Sequence, residues 1–460
     1  MSNKRQSDFD HDVLIAWYGD DFTGAAAVME VLTFAGLPST LFLDVPTSEQ
    51  LQRFPGLRGV GVASTARAKS PEWMDATLPA VFARLAALDP ALVHYKVCST
   101  LDSAPETGSI GRAIEIGAKC LSSQVVPVLV AAPQMRRYQC FGHLFAGIGR
   151  DVVRLDRHPV MSRHPTTPMT ESDVARHISN QSDQIDGQLL SMESLATGKA
   201  VLAPAPEQAE RISVVAIDGT DADSDAEAGR IIWEARAQSR FVVGSQGVEY
   251  ALVEHWQRCG LIKKIPQPGS IGPSARMMSV SGSVSPTTAD QIAWAKKNGF
   301  ASLEFDVVQV CGSRADVEAE IERCVENALG AISQGLDPLV HTAEGPDDPA
   351  VARFKAAVAA SDLDMSAANQ IIGEALGRVL HRVLEKTGTS RAVVSGGDTS
   401  GFATRQLGIY ALSALAPTIP GASIFRAHSD GPMDGLELAL KGGQMGTPDY
   451  FGWVRSGGGA

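Results

Sequence analysis

The feature that most constrains this chain lies near its start, where the apolar run VLIAWYG (13–19) gives way to a short loop, DDFTG. An Ala-rich stretch, AAAVMEVLTFAG, then closes at Gly36, and a second apolar run, STLFLDV, follows at once. Apolar runs without polar alternation fit strands covered on both faces, and parallel strands need a crossover connection, usually a helix. The opening therefore reads as β-α-β. Further strand-like runs follow at GVGVAST, ALVHYKV, VVPVLVAA, ISVVAID and RFVVGS, separated by helix-compatible segments such as PEWMDATLPAVFARLAAL. This alternation predicts an α/β fold with a largely parallel sheet.

At 460 residues the chain exceeds what a single hydrophobic core usually supports, so two domains are expected. The segment KKIPQPGSIGPSAR (263–276) interrupts the patterning with Pro, Gly and Ser and reads as the linker. The pattern then restarts with MMSVSGSVS, FASLEFDV, LDPLVHTA, RAVVSGG and SIFRAHS as strands, and with long amphipathic stretches at 315–335 and 366–386 as helices. The expected organisation is two α/β domains, 1–262 and 277–460, with largely parallel sheets and an active-site cleft between them. The closing RSGGGA reads as a flexible tail.

A formal net charge of −12 argues against a broad nucleic-acid footprint, which needs clustered Lys and Arg. An anionic small substrate would need local basic groups. The six cysteines form no C-x-x-C pair, so no zinc ribbon or redox motif is written, and they read as reduced thiols. The polar start MSNKRQSDFDHD and the lack of a long uncharged apolar run lead to the expectation of a cytoplasmic protein without membrane partners. A homodimer is expected only because two-fold assemblies are common.

Several loops leave strands carrying reactive side chains. Asp20, Asp21 and Thr23 follow the first strand, where open α/β sheets place ligands. One aspartate is a candidate catalytic base; the alternative reading makes Asp21 or Thr23 a helix cap. Arg67 follows GVGVAST and offers a planar fork for a carboxylate. Lys96 ends ALVHYKV, with Ser99, Thr100 and Asp102 just beyond, and Arg67 and Lys96 together are expected to hold the carboxylate of an acid substrate. His164 lies in a long polar loop, 157–173, and is a candidate for orienting a substrate. The second half supplies three Gly-rich turns: Ser281 to Ser285 with Ser283; Ser395 to Gly401 with Gly396, Gly397, Asp398 and Thr399; and Lys441 to Gly446 with Gly442, Gly443 and Gln444. Glycines let the backbone approach a ligand, and successive N–H groups with Ser/Thr hydroxyls make a phosphate cradle. Asp398 is the candidate Mg2+ ligand. No Walker A, protein-kinase or dinucleotide fingerprint is present.

Taken in order, GDDFTGA, YKVCSTLDSAPETGSIGRAI, HPTTPMTESD, VVGSQGV, SGSVSPTTADQI, SGGDTSG and LKGGQMG resemble the motifs of the four-carbon acid sugar kinases across nearly the whole chain. The resemblance implies an N-terminal domain that binds a sugar acid through Asp20, Asp21, Thr23, Arg67, Lys96 and Asp102. It implies a C-terminal domain that binds ATP through Ser283, Gly396, Gly397, Asp398, Thr399 and Gly443, with phosphate added to a terminal hydroxyl. Implied substrates are threonate, erythronate, 3-oxo-tetronates or branched oxo-acids of the isoapionate type. The glycine turn SGSVS, the last motif GGQMG and the stretch 134–143 depart from the commoner family pattern, and the last bears on substrate choice. The rival expectation is a non-catalytic sensor that binds an acid sugar or nucleotide; turnover discriminates the two.

Overall fold

The unbroken apolar runs become fully buried strands. The computed structural model describes residues 11–164, 166–203 and 211–459. The chain divides into two units between Pro266 and Gln267, within a stretch that lacks regular secondary structure. Among the described residues no helix is long and apolar enough to cross a membrane.

The first unit contains β1 (Ile15–Gly19), β2 (Ser39–Phe42), β3 (Gly59–Ala63), β4 (Leu92–Lys96), β5 (Val125–Leu129), β6 (Arg137–Cys140), β7 (His143–Ile148), β8 (Asp151–Arg154), β9 (Ile185–Leu190), β10 (Ile212–Ile217) and β11 (Phe241–Gly244). Its main sheet runs β2-β3-β1-β4-β11-β5-β10-β9 with every pairing parallel. From β1 the chain passes to the outer position at β2, returns to place β3 between them, then crosses to β4 on the other side of β1. That reversal leaves a crevice at the carboxyl ends of β1, β3 and β4. The helices obey their sequence signals. Pro71–Ala86 starts at the Ser70 cap with proline at its first position and buries Met74, Leu78, Val81, Phe82 and Leu85 along one face.

Strands β6, β7 and β8 form a separate antiparallel sheet that the apolar pattern does not announce. It is tied to the main sheet by reciprocal backbone bonds between Gln139 and Gly219, at 2.9 and 3.0 Å. The buried Asp218 carboxylate, just after β10, accepts from the amides of Phe141 and Gly142 at 2.7 and 2.9 Å.

The second unit contains β12 (Met278–Ser281), β13 (Phe300–Glu304), β14 (Asp337–His341), β15 (Arg391–Ser395), β16 (Ile409–Ala416), β17 (Ile424–Ser429) and β18 (Glu437–Lys441). The order is β13-β14-β12-β15-β18-β17-β16, parallel from β13 to β18 and antiparallel thereafter. The flexible tail does not materialise. Gly457 and Gly458 are buried, Gly457 O accepts from Ile271 N at 3.0 Å, and Gly459 N donates to Pro417 O at 2.8 Å.

Candidate active site

In the first unit β1 lies between β3 and β4, with Gly19 level with Ala63 on one side and Lys96 on the other. Residues leaving these strands therefore converge. Asp20 N donates to Lys96 O at 2.9 Å, and Arg67 N donates to Asp20 O at 3.0 Å, so backbone bonds fix the three segments before any side chain is considered.

Asp21 caps the Phe22–Phe34 helix. Its Oδ2 accepts from Gly24 N at 3.1 Å and from Thr23 Oγ1 at 2.8 Å. Its Oδ1 faces Arg67 Nη2 at 2.6 Å and Lys96 Nζ at 3.2 Å. Gly24 is required by this crowding, because a Cβ there would fall 1.7 Å from Lys96 Nζ. Arg67 Nη2 also reaches Asp20 Oδ1 at 3.3 Å, while Nη1 lies 3.6 Å from Asp102 Oδ2. Asp102 Oδ1 accepts from Thr100 Oγ1 at 2.8 Å. The structure thus brings Asp20, Asp21, Thr23, Arg67, Lys96 and Asp102 into one cluster. His164 is not joined to it: among the described residues its ring bonds only to the amide and hydroxyl of Thr167, at 3.1 and 3.0 Å.

The adjacent aspartates differ sharply in character. Asp20 is buried, and desolvation pushes its carboxyl up to about 6 despite the opposing pull of Arg67. Asp21 is held well below the usual carboxylate range, because the charges of Arg67 and Lys96 and the bonds from Thr23 and Gly24 outweigh its desolvation. Asp20 can gain and lose a proton near neutrality; Asp21 is a fixed anion that holds a buried lysine, a helix end and an arginine in place.

Two residues here escaped the sequence reading. Cys98 Sγ lies 3.0 Å from Thr100 Oγ1, and burial raises its thiol above the ordinary range, which keeps it inert. Arg137, the first residue of β6, sits on a tight turn closed by reciprocal backbone bonds with Ala132, at 2.9 and 3.1 Å. Adjacent arginines after the apolar run 125–132 were the available signal, but nothing in the sequence says which of Arg136 and Arg137 turns inward.

In the second unit the three Gly-rich turns leave neighbouring parallel strands at one level, since Ser281, Ser395 and Lys441 pair in register across β12, β15 and β18. They wall a cavity of about 330 Å3. Ser283, Gly396, Gly397, Thr399 and Gly443 line it, with Val307, Phe354, Met365 and Ile372 as an apolar side and Lys355 and Asn369 as polar groups. The turns touch so closely that a Cβ on Gly282 would meet Thr399 Oγ1 at 2.2 Å, and one on Gly443 would meet Ser283 Oγ at 2.3 Å. Gly396, at φ 126°, precedes the Gly397–Arg405 helix, whose N-terminus has no side-chain cap and so offers free N–H groups. Ser281, Gly442 and Gln444 do not line the cavity: Ser281 is wholly buried in β12, Gly442 O accepts from Lys441 Nζ at 3.2 Å, and Gln444 is exposed. The Asp398 side chain, the expected Mg2+ ligand, lies outside the described residues. Among the described residues no group of three or more His, Cys, Asp or Glu is placed to hold a metal ion.

Two α/β units, one with a charged crevice and one with a glycine cradle, match two family models in the same order. Residues 15–252 match a sugar-binding N-terminal domain and residues 278–451 a nucleotide-binding C-terminal domain. The chain is 46% identical over 450 residues to a 3-oxo-isoapionate kinase of Paraburkholderia graminis, covering 97% of this chain and 94% of that protein. It is 30% identical over 462 residues to a 3-oxo-tetronate kinase of Cupriavidus necator, covering 96% of each. A crystal structure of a Salmonella typhimurium protein superposes with a TM-score of 0.76 at 24% identity, over 96% of this chain and 98% of that one, and shares the fold. The chain belongs to the four-carbon acid sugar kinase family, and so to the sugar-acid kinases.

Proposed function

We propose that this protein transfers the γ-phosphoryl group of ATP to a terminal hydroxyl of a branched oxo-acid of the 3-oxo-isoapionate type. The observation that carries the reading is the Asp20–Arg67 cluster at the crevice of the first sheet, where a carboxyl that titrates near neutrality stands beside fixed cations. In this reading Asp20 accepts the proton of the attacking hydroxyl. Asp21 holds Lys96 and Arg67 in register, and Arg67, with three carboxylates already near it, presents its remaining donor to the substrate. Thr23 and Asp102 shape the same crevice.

The donor nucleotide belongs to the second unit. The cavity there fits it: hydroxyls and glycine amides on one side suit phosphates, and an apolar wall on the other suits a base. Ser283, Gly396, Gly397, Thr399 and Gly443 would hold the phosphates. Asp398 is the residue proposed to hold Mg2+, which would offset the charge of the phosphates. The identity of the acid follows the Paraburkholderia relative.

The test is ADP release from ATP and Mg2+ with 3-oxo-isoapionate, D- and L-threonate, D-erythronate and their 3-oxo forms. Turnover is expected on 3-oxo-isoapionate, with kcat/KM at least tenfold above the C4 acids. Strong turnover on a tetronate instead would keep the kinase and overturn the substrate. Nucleotide binding without turnover on any acid would overturn the reaction in favour of the sensor.

A further inference from the structure

Among the described residues, every cation of the crevice but one is already committed to a carboxylate. Lys96 is paired with Asp21, and Arg67 with Asp20, Asp21 and Asp102. Arg137 is the exception. Its hydrogen bonds are Nη1 to the carbonyls of Met135 and Arg136, at 3.3 and 3.2 Å, and among the described residues no carboxylate stands within ion-pair distance. Its neighbour Arg136 does the structural work of the insertion instead, with Nη1 and Nη2 on the carbonyls of Gly149 and Asp151 at 2.5 and 2.8 Å.

A second observation is independent of charge pairing. The Nε of Arg67 and the Nε of Arg137 are both buried donors without an acceptor. A buried unsatisfied N–H is costly, and on a guanidinium more so, so two in one neighbourhood ask for a missing acceptor. That the two share a neighbourhood follows from the groups that act on both: Asp102 and Cys98 lie within electrostatic reach of each guanidinium. Burial lowers the Arg137 guanidinium from its ordinary value, outweighing the opposing pull of Cys98 and Asp102. His158, from the polar loop, lies close enough to feel that charge.

We infer that Arg137 is the residue that receives the carboxylate of the acid substrate, in concert with the Nε–H of Arg67. This rests on the sugar-acid reading above and adds the anchor that reading lacks. A carboxylate offers two oxygens and about four acceptor directions, enough to satisfy both orphan donors and to give Arg137 the ion pair it lacks among the described residues. The anchor is set by the short turn between Ala132 and Arg137 and by the antiparallel sheet that follows. Sequence changes in that insertion would therefore retune which acid fits without disturbing Asp20.

The experiment is calorimetric titration of 3-oxo-isoapionate into the full-length protein without nucleotide, comparing wild type with Arg137→Gln and Arg137→Lys, followed by steady-state kinetics. Removing a charge-assisted anchor should weaken acid binding and raise its KM by about 10- to 100-fold, leaving the KM for ATP unchanged and kcat within a few-fold. Millimolar guanidinium should partly restore KM in Arg137→Ala, which a purely structural role would not allow. If Arg137→Gln does not fold, Arg137→Lys carries the test: it keeps the charge but loses the fork, and should bind several-fold more weakly. Wild-type affinity in the folded variants overturns the anchor and leaves the kinase standing. Failure of wild type to bind any acid of the panel overturns the sugar-acid reading and the anchor with it.

Discussion

Asp20→Asn should make the protein more stable and nearly inactive, and the structure gives the size of the stability effect. Burial raises the Asp20 carboxyl from 3.8 to about 6 in the folded state. The folded protein therefore binds a proton there that the unfolded chain has released, and stability falls as pH rises from about 4 through 6. Taken to completion, about 2.2 units at 1.36 kcal/mol each cost about 3 kcal/mol, fully present above pH 7 and only about half developed at pH 5. Asn removes the titration. The Asn-minus-wild-type difference should thus grow by about 1.4 kcal/mol between pH 5 and pH 7.5, roughly 3 to 5 °C in the melting temperature of a unit this size. Any constant offset from the amide geometry cancels in that comparison. Calorimetric melts of both proteins at the two pH values measure it, and kcat at pH 7.5 should fall at least about a hundredfold. A difference that is flat or shrinks with pH would refute the claim that Asp20 sits in a desolvated site, and unchanged kcat would remove it as the base.

Asp21→Asn should act in the opposite sense, lowering the melting temperature at pH 7.5 by the equivalent of about 3 to 5 kcal/mol, because it leaves buried Lys96 without its carboxylate; thermal melts at that pH read it directly. Gly443→Ala should raise the KM for ATP at least tenfold without changing calorimetric affinity for the acid, since the new Cβ would strike Ser283 Oγ in the cradle. Lys441 is buried with no carboxylate paired to it among the described residues, donates to Gly442 O at 3.2 Å, and is pushed down to about 7 by desolvation. Its Nζ lies 3.5 Å from Thr288 Oγ1, which donates to Ser283 Oγ of the cradle at 3.0 Å, so triphosphate in the cavity should raise that value again and ATP binding at pH 8 should take up a proton. Titrations in buffers of different ionisation enthalpy read the uptake, which should vanish below pH 6 and in Lys441→Met.

How much of this was legible in the sequence depends on the kind of element. Strands buried on both faces announce themselves as unbroken apolar runs, so β1, β3, β4, β5, β10 and β11 could be read directly. The insertion strands could not. Segments such as RYQC and DVVR are short and half exposed, and their stability comes from the Gln139–Gly219 bonds and the Asp218 carboxylate, which are far apart in sequence. The antiparallel pair β16 and β17 was half seen, because IYALSALA is Ala-rich and carries little strand propensity of its own. The C-terminal glycines looked like a tail for the same reason: what holds them is backbone pairing with Ile271 and Pro417, to which composition is blind.

The site divides along the same line. Residues that immediately follow a parallel strand are placed by the sheet itself, so Asp20, Arg67 and Lys96 could be grouped once the strands were read. Their division of labour could not be, because it turns on where the helix begins. With Asp21 at the cap, in extended geometry at φ −134° and ψ 161°, both of its oxygens are drawn to the helix end and the cations. One residue earlier, Asp20 is left in the desolvated floor of the crevice with one long contact to Arg67. Shifting the helix start by a single residue would exchange fixed anion and titrating base without altering the motif. The anchor at Arg137 and the apolar wall of the nucleotide cavity escaped for a related reason. Each is supplied by an element, an insertion turn or a helix face, whose sequence is shaped mainly by its own packing, and whose contribution to the site exists only once the fold has brought it there.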